Sequence, residues 1–437
     1  MQQLYRQHLE HLCSLYARAL ESTNFDAVAI HSGSLQYYFA DDRSVPFQAF
    51  GHFLNWLPVN RPDQLLLIST EAAPHYFQIL PQDFWHDQHI ENEPWWADAW
   101  TLTRLSGIDE LRGKLPTNRL CYLGENRDLA AALGLESEAV NPSQLVRYLD
   151  YHRAFKTAYE LTQLRQANRL AMTGHEAAKS GFLAGRSEFD IHMAYLSACR
   201  LLEDETPYTN IVAVNEKAAT LHYQFKRKAA PEKSKVLLID AGARVNGYCS
   251  DITRTWIENG TLAVFSALRD GIENLTLQLV SKARPDTNYL SLHMAALNGI
   301  TDLLLSLEIC QGSKDELMTR QLPQLFMPHG VGHLLGIQVH DVGGHQQDVA
   351  GTLQSPPSHS RALRNTRKLE PDMVFTIEPG CYFIPLLLEP ERNSDRGKMI
   401  NWMLVDELYP LGGIRIEDNV RVTRDEPENL TRNPHPD

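Results

Sequence analysis

"LLIDAGARVNGYCSDITRT", Leu237 to Thr255, places two aspartates, Asp240 and Asp251, on either side of a Gly- and Asn-containing segment. "KVLLID" is an apolar run ending in an acid, "GYCSDITRTWI" is rich in β-formers, and "AGARVNG" between them carries turn signals. The pattern predicts a hairpin. With the turn centred between Val245 and Asn246, Asp240 faces Asp251, and directly opposed side chains share one face with Cβ atoms about 4.5–5.5 Å apart. Two opposed carboxylates repel, so that placement calls for a cation or a shared proton. The competing reading is a shifted register with both acids simply flanking turns, the commoner fate of strand-end acids.

Further along, "MPHGVGHLLGIQVHDVGG", Met327 to Gly344, holds His329, His333 and His340. His329 and His333 are four apart, as in a helical zinc motif, but no Glu follows His329. Gly330 and Gly332 inside that spacing each cost a helix about 1 kcal/mol. The segment therefore reads as a loop presenting one metal ligand. In "MVFTIEPGCYF", Glu378 ends an apolar strand pattern before the turn pair Pro379-Gly380. In "GGIRIEDNVRV", Glu417 falls in a strand among apolar neighbours. A carboxylate in such surroundings is expensive unless paired or metal-bound. Together these segments offer four carboxylates and one histidine. Hard, oxygen-rich ligation favours Mn²⁺, or Co²⁺ in vitro, over a closed structural Zn²⁺ site. Four carboxylates also call for more than one divalent ion, and a pair of ions is an arrangement suited to hydrolysis.

The whole chain frames this reading. It has 437 residues and a net charge of −13, from 41 Lys+Arg against 54 Asp+Glu. That balance argues against nucleic acid or an anionic membrane as the main partner. Six scattered cysteines without a CxxC pair point to a reducing cytoplasm rather than a disulfide framework. The N-terminal "MQQLYRQHLEHLCSLYARAL" reads as an amphipathic helix rather than a signal peptide, and no stretch reaches the length of a membrane span.

Two domains are expected. Residues 1–155 read as a smaller mixed α/β domain, with strands in "FDAVAIHSG", "QLLLIST" and "LCYLGE". Trp85, Trp95, Trp96 and Trp100 in its later part read as core and interface packing. Residues 156–437 read as an α+β domain. A long helix ends near Gly185, and a capping box at Ser187–Asp190 opens the next helix. "NIVAVNE", "LHYQF" and "KVLLIDAG" read as strands, a helical region covers about Leu262 to Leu307, and "GTLQSPPSHSRALRNTR" is a long polar loop of the kind that often serves function.

These motifs are together specific. "IDAGARVNGYCSDITRT", "HGVGHLLGIQVHD", "FTIEPGCYF" and "GIRIEDN" resemble, in order, those of the pita-bread metallopeptidases, which include methionine aminopeptidase, aminopeptidase P, prolidase and the metal-free creatinase. The resemblance is strongest to the bacterial prolidase group, which includes organophosphorus acid anhydrolases. There it extends to "FADD", "DFWH", "TPYTNIVAVNE" and "LHY", more loosely in the N-terminal part.

The resemblance implies a pita-bread catalytic domain behind an N-terminal domain that serves dimerisation and substrate access. It implies five ligands of a dinuclear centre: Asp251 and Glu417 on both ions, Asp240 on one, His333 and Glu378 on the other. It gives Glu378 proton transfer, and His222, His329 and His340 roles beside the metals or the substrate. Arg415 and Arg364 correspond to arginines that grip a substrate carboxylate, with Arg367 the alternative to Arg364. Tyr208 and Asp42 correspond to pocket residues, Asp42 reaching the site of the partner subunit in a homodimer. Each has an ordinary alternative: a strand arginine, a loop charge, a packed tyrosine, a turn-capping aspartate, a core histidine. The activity implied is cleavage of dipeptides with C-terminal proline, with phosphotriesters as a side activity. The rivals are an aminopeptidase acting on longer peptides and a non-catalytic binding module. Such modules lose ligands, whereas this chain keeps all five.

Overall fold

The computed structural model describes residues 1–85 and 94–433. The chain forms two compact units, Met1–Arg153 with Thr157–Leu161 and Asp348–Gly351, and Ala154–Lys156 with Thr162–Gln347 and Thr352–Asp437.

The first unit opens with the expected amphipathic helix, Gln2–Thr23, which buries Tyr5, Leu9, Leu12, Tyr16 and Leu20 at helical spacing. Asn24 closes it in the left-handed conformation. Strands β1 (Ala27–His31), β2 (Leu65–Ser69), β3 (His75–Ile79), β4 (Thr101–Leu105) and β5 (Leu120–Leu123) form a sheet in the order β4-β3-β2-β1-β5. β1/β2 and β2/β3 are antiparallel, and β1/β5 and β3/β4 are parallel. Sequence reading finds β1, β2 and β5 but not β3 or β4, which mix polar with apolar residues, β4 at the sheet's edge. Trp96 and Trp100 are buried, Trp95 is half-buried, and Trp85 is 77% exposed.

The long helix Ala158–Leu183, which belongs to the second unit from Thr162 onward, ends before Gly185, which takes φ +69°. Ser187 caps the helix Glu188–Cys199 by accepting a hydrogen bond from the Asp190 backbone. Strands β6 (Ile211–Val214), β7 (Val236–Asp240), β8 (Arg244–Val245), β9 (Tyr248–Cys249) and β10 (Thr253–Ile257) follow. β7 lies between β6 and β10, antiparallel to both. "LHYQF", expected as a strand, is a turn and loop, and it carries His222 on an exposed segment. The helices Ala263–Ser281 and Tyr289–Ser306 fill the expected helical region. Their buried faces, Ile272, Leu279, Leu297 and Ile300 among them, share one core with Phe375, Ile377, Ile414 and Val420 of the last strands. Those strands are β11 (Val374–Ile377), β12 (Gly380–Tyr382), β13 (Gly413–Arg415), β14 (Asp418–Arg421) and β15 (Glu428–Asn429).

The hairpin expected at 237–255 forms, but one residue later in its turn. Asn246 (φ +48°) and Gly247 (φ +92°) both take positive φ, as a two-residue Asn-Gly hairpin turn requires. The turn thus centres between Asn246 and Gly247, and Asp240 pairs with Thr253, not with Asp251. Moving the centre by one residue moves each partner by two, which preserves the face. Asp251 remains on the Asp240 side as its diagonal neighbour.

Glu417 also differs from expectation. It lies between β13 and β14 rather than inside a strand. β11 pairs with β14 and β12 with β13, in one continuous antiparallel register. The chain breaks from the ladder at Glu378-Pro379 on one side and at Ile416-Glu417 on the other. There the Glu378 amide donates to Val331 O (2.8 Å) and the Glu417 amide to Thr253 O (3.0 Å), which joins both strands to the segments bearing the other acids and histidines.

Candidate metal centre

Asp240 at the end of β7, Asp251 between β9 and β10, His333 in the Met327–Gly344 loop, Glu378 after β11 and Glu417 before β14 line one cavity of about 270 Å³. His222, His329, His340, Arg364 and Arg415 line it too. Ligand atoms of Asp251, His333 and Glu417 all lie within 4.8 Å of one another.

The His333 segment is a loop, as its glycines dictate. A Cβ on Gly332 would stand 2.1 Å from Thr376 O, and its φ is +153°. His333 is therefore held tightly beneath β11, its amide donating to Thr376 Oγ1 at 3.1 Å. Its Nδ1 faces Leu334 O at 3.0 Å, and because a carbonyl only accepts, Nδ1 carries the proton. Nε2 then faces Asp251 Oδ2 at 3.3 Å and Glu378 Oε1 at 3.8 Å, whose charges raise His333; freed of its proton, Nε2 is the open nitrogen of a metal-binding histidine, with Nδ1 fixed by its second partner.

The carboxylates are tied in a network. Tyr208 Oη reaches Asp240 Oδ1 (2.7 Å) and Asp251 Oδ1 (2.6 Å). Arg415 donates from its three guanidinium nitrogens to Asp240 Oδ2 (2.6 Å), Tyr382 Oη (2.9 Å) and Thr253 Oγ1 (3.1 Å). Thr253 Oγ1 donates to Glu417 Oε2 at 2.6 Å. Asn419 clamps the Asp251 backbone, accepting from its amide at 3.1 Å and donating to its carbonyl. Thr253, Tyr382 and Asn419 escaped sequence reading. All three stand in the motifs that carry the four acids and His333, but as neutral side chains they raise no charge signal.

The charge balance is unfinished. Burial, only partly offset by Arg415, raises Asp240, and Asp251 adds to the rise. Burial raises Glu378 to about 7 despite His333 and Arg415. Burial and the neighbouring acids raise Glu417 well above the carboxylate range. Burial also pushes Asp251 up, but His333 and Tyr208 outweigh it and leave Asp251 low. Three of the four acids thus hold protons too tightly in a cage with one arginine. A cluster of hard oxygen donors with one oriented imidazole nitrogen fits divalent cations.

The other expected residues divide. Burial and Arg415 push His329 down to about 3, so its ring is neutral. Its Nδ1 bonds Gly330 O (2.7 Å) and its Nε2 bonds Tyr382 Oη (2.9 Å), so both nitrogens are engaged. His340 stacks edge-on against His333 with ring centres 4.3 Å apart, and burial with His333 lowers it to about 4. Arg364 is exposed at the cavity, whereas Arg367 is buried with its guanidinium 5.3 Å from the Phe155 ring. Asp42 lies in the first unit, on a separate cavity that Tyr37, Arg61 and Asp63 also line.

The sequence model described as Metallopeptidase family M24 matches residues 162–424, and that described as Xaa-Pro dipeptidase, N-terminal domain, matches residues 3–151. The chain belongs to metallopeptidase family M24. It is 43% identical over 436 residues to the Xaa-Pro dipeptidase of Pseudoalteromonas atlantica, covering 98% of both chains. It is 41% identical over 433 residues to that of Shewanella pealeana, again covering 98% of both. Among solved structures it superimposes on proline aminopeptidase P II from Yersinia pestis (TM-score 0.73, 23% identity, 99% of this chain and 96% of that one). The Zn-substituted E. coli aminopeptidase P matches similarly (TM-score 0.74, 23% identity, 99% and 95%). These two likenesses bear on the fold, which is the pita-bread fold with a separate N-terminal domain. No helix among the described residues is long and apolar enough to cross a membrane.

Proposed function

We propose that this metal-dependent hydrolase is an Xaa-Pro dipeptidase working through the Asp240–Glu417 cluster. The supporting observation is the convergence of four carboxylates and one oriented imidazole on a single cavity. Asp240, Asp251, His333, Glu378 and Glu417 would hold two divalent ions, Mn²⁺ foremost and Co²⁺ in vitro. Asp251 and Glu417 would be shared by the two, Asp240 would belong to one, and His333 with Glu378 would belong to the other. Bound there, the ions supply Lewis acidity and lower the pKa of water towards neutrality.

The chain's own residues do the rest. Glu378, which must give up its proton to serve as a ligand, would as a carboxylate accept one from water and pass it to the departing proline nitrogen. That nitrogen needs it, because it leaves as a neutral amine far more readily than as an amide anion. With both His329 nitrogens engaged, the exposed His222 is the better donor to the oxyanion. Arg364 grips the proline carboxylate by charge-assisted hydrogen bonds, and Arg415, committed to Asp240 and Tyr382, aligns the cage from beneath that carboxylate. Tyr208 holds the two aspartates in register. His340 shapes the substrate side. A longer peptide has no carboxylate at Arg364, which limits the enzyme to dipeptides. The domains divide at residue 155: 1–155 serves dimerisation and substrate access, with the partner subunit's Asp42 completing the pocket of a cytoplasmic homodimer, and 156–437 carries the catalysis.

The test is metal content measured together with rates on Ala-Pro, Ala-Pro-Ala and a phosphotriester. Fast turnover of Ala-Pro, slow turnover of the tripeptide and loss of both on chelation are expected. Preference for the tripeptide favours the aminopeptidase reading, and a fully active chelated protein rejects the mechanism.

A further inference from the structure

Beside the metal cavity lies a second one, of about 320 Å³. Pro328, His329 and Ala362 line both. The second cavity belongs to different elements: His293 on the helix Tyr289–Ser306, Gln324 on the short helix Pro323–Phe326, and Ser360 with Arg361 in the polar loop. Sequence reading marks that loop as functional by its length, yet Arg364 accounts for only one end of it.

His293 is 2% exposed and bonds Ser360 Oγ through Nε2 at 2.8 Å. Among the described residues its buried Nδ1 has no hydrogen-bond partner, and neither has Gln324 Oε1. Burial lowers His293 to about 4, so the ring is neutral at pH 7 and carries one N–H. Ring and hydroxyl therefore bring two hydrogens and spend one on each other. Whichever nitrogen is protonated, one donor, Nδ1–H or Ser360 O–H, remains for a ligand. Arg361 adds a cation, exposed and in no ion pair among the described residues. Among the described residues, no Asp or Glu lines the cavity. An orphaned buried donor, a free guanidinium and the lack of any opposing carboxylate describe a receptor for negative charge.

We infer that this second cavity binds a small oxyanion, a carboxylate or a phosphate, held by Arg361 and the His293–Ser360 pair. Its occupant sits behind His329, separate from the metal ligands, and the inference stands whether or not the dipeptidase reading does.

Crystals of the metal-loaded protein soaked in selenate locate an anion by selenium's anomalous scattering. A peak within hydrogen-bond distance of Arg361 and Ser360 is expected, and a peak only at the metals, or water alone in the cavity, overturns the inference. In solution, metal-loaded wild type is titrated calorimetrically with acetate and with inorganic phosphate, beside Arg361→Ala and Ser360→Ala. Loss of a charge-assisted bond weakens binding about tenfold or more in Arg361→Ala. A response to acetate alone assigns a carboxylate ligand and a response to phosphate alone a phosphate. Equal affinity in wild type and Arg361→Ala overturns the site. Arg361→Ala keeps wild-type turnover of Ala-Pro without added anion, so failure here is distinct from failure of the dipeptidase reading.

Discussion

Glu378 and Glu417 stand directly across from each other in one ladder register, at the level where both chains leave the ladder. Their amides are satisfied by other segments, so backbone pairing does not hold this level together. Both carboxyls are raised by burial, Glu378 to about 7. The arrangement favours protons or cations between the strands, and in a metallopeptidase those cations are metal ions.

Metal affinity is therefore expected to fall as pH drops through about 7. Glu378 must lose its proton to act as a ligand, so below that pH the metal displaces a proton. Calorimetry in buffers of different ionisation enthalpy reads the protons released. The metal-free protein behaves oppositely. Its folded state keeps a proton that the unfolded chain releases near the ordinary carboxylate range, so stability falls as pH rises from there to about 7. Melting curves of chelated and loaded protein across that window check the sign, and a flat profile for the chelated protein contradicts it.

Asp240→Asn removes one proposed ligand and the partner of Arg415. Metal-dependent hydrolysis of Ala-Pro is expected to drop by at least about a hundredfold, since the loss is as direct as any to a metal site. Near-normal activity sinks the ligand assignment.

Tyr208→Phe keeps the packing but deletes the hydroxyl shared by Asp240 and Asp251. Metal affinity is expected to weaken about 10–100-fold, as for other groups that orient ligands. Circular dichroism unchanged from wild type, with affinity also unchanged, removes Tyr208 from the centre.

Arg364 and Arg367 separate by readout. Arg364→Ala raises KM for Ala-Pro by roughly tenfold or more, the worth of one charge-assisted hydrogen bond, and leaves the melting temperature alone. Arg367→Ala, which empties a buried position against Phe155, lowers stability instead. The reverse pattern would falsify the choice of Arg364.

Arg415→Ala strips the counter-charge from Asp240 and a donor from Tyr382. The loss is expected in kcat and in metal occupancy together, whereas a residue that only grips substrate changes KM alone. Metal analysis alongside kinetics distinguishes the two.

The convergence of the five residues on one cavity was legible because a carboxylate at the end of an apolar strand is costly, and Asp240 and Glu378 advertise that cost in sequence. The face shared by Asp240 and Asp251 was legible as well, though their direct opposition was not. Both outcomes trace to the Asn-Gly turn, which moves the pairing by two residues and so changes the partner without changing the side. The break at Glu417 was hidden because Ile414 and Ile416 continue the alternation through it. β3 and β4 were missed because their apolar residues are too few and interrupted. Tyr382 and Asn419 matter through contacts made at long sequence range, where single-chain periodicity gives no hint.

The two acid pairs also differ in when they can form. Asp240 and Asp251 are gathered by a tight hairpin that needs only its own neighbourhood. Glu378 and Glu417 meet only after distant strands find each other, and their break must then lodge against Thr253. Closing that loop and docking it is expected to be a slow, high-contact-order step. The centre is then expected to mature late in folding, with half a binding place on offer to metal added early in refolding.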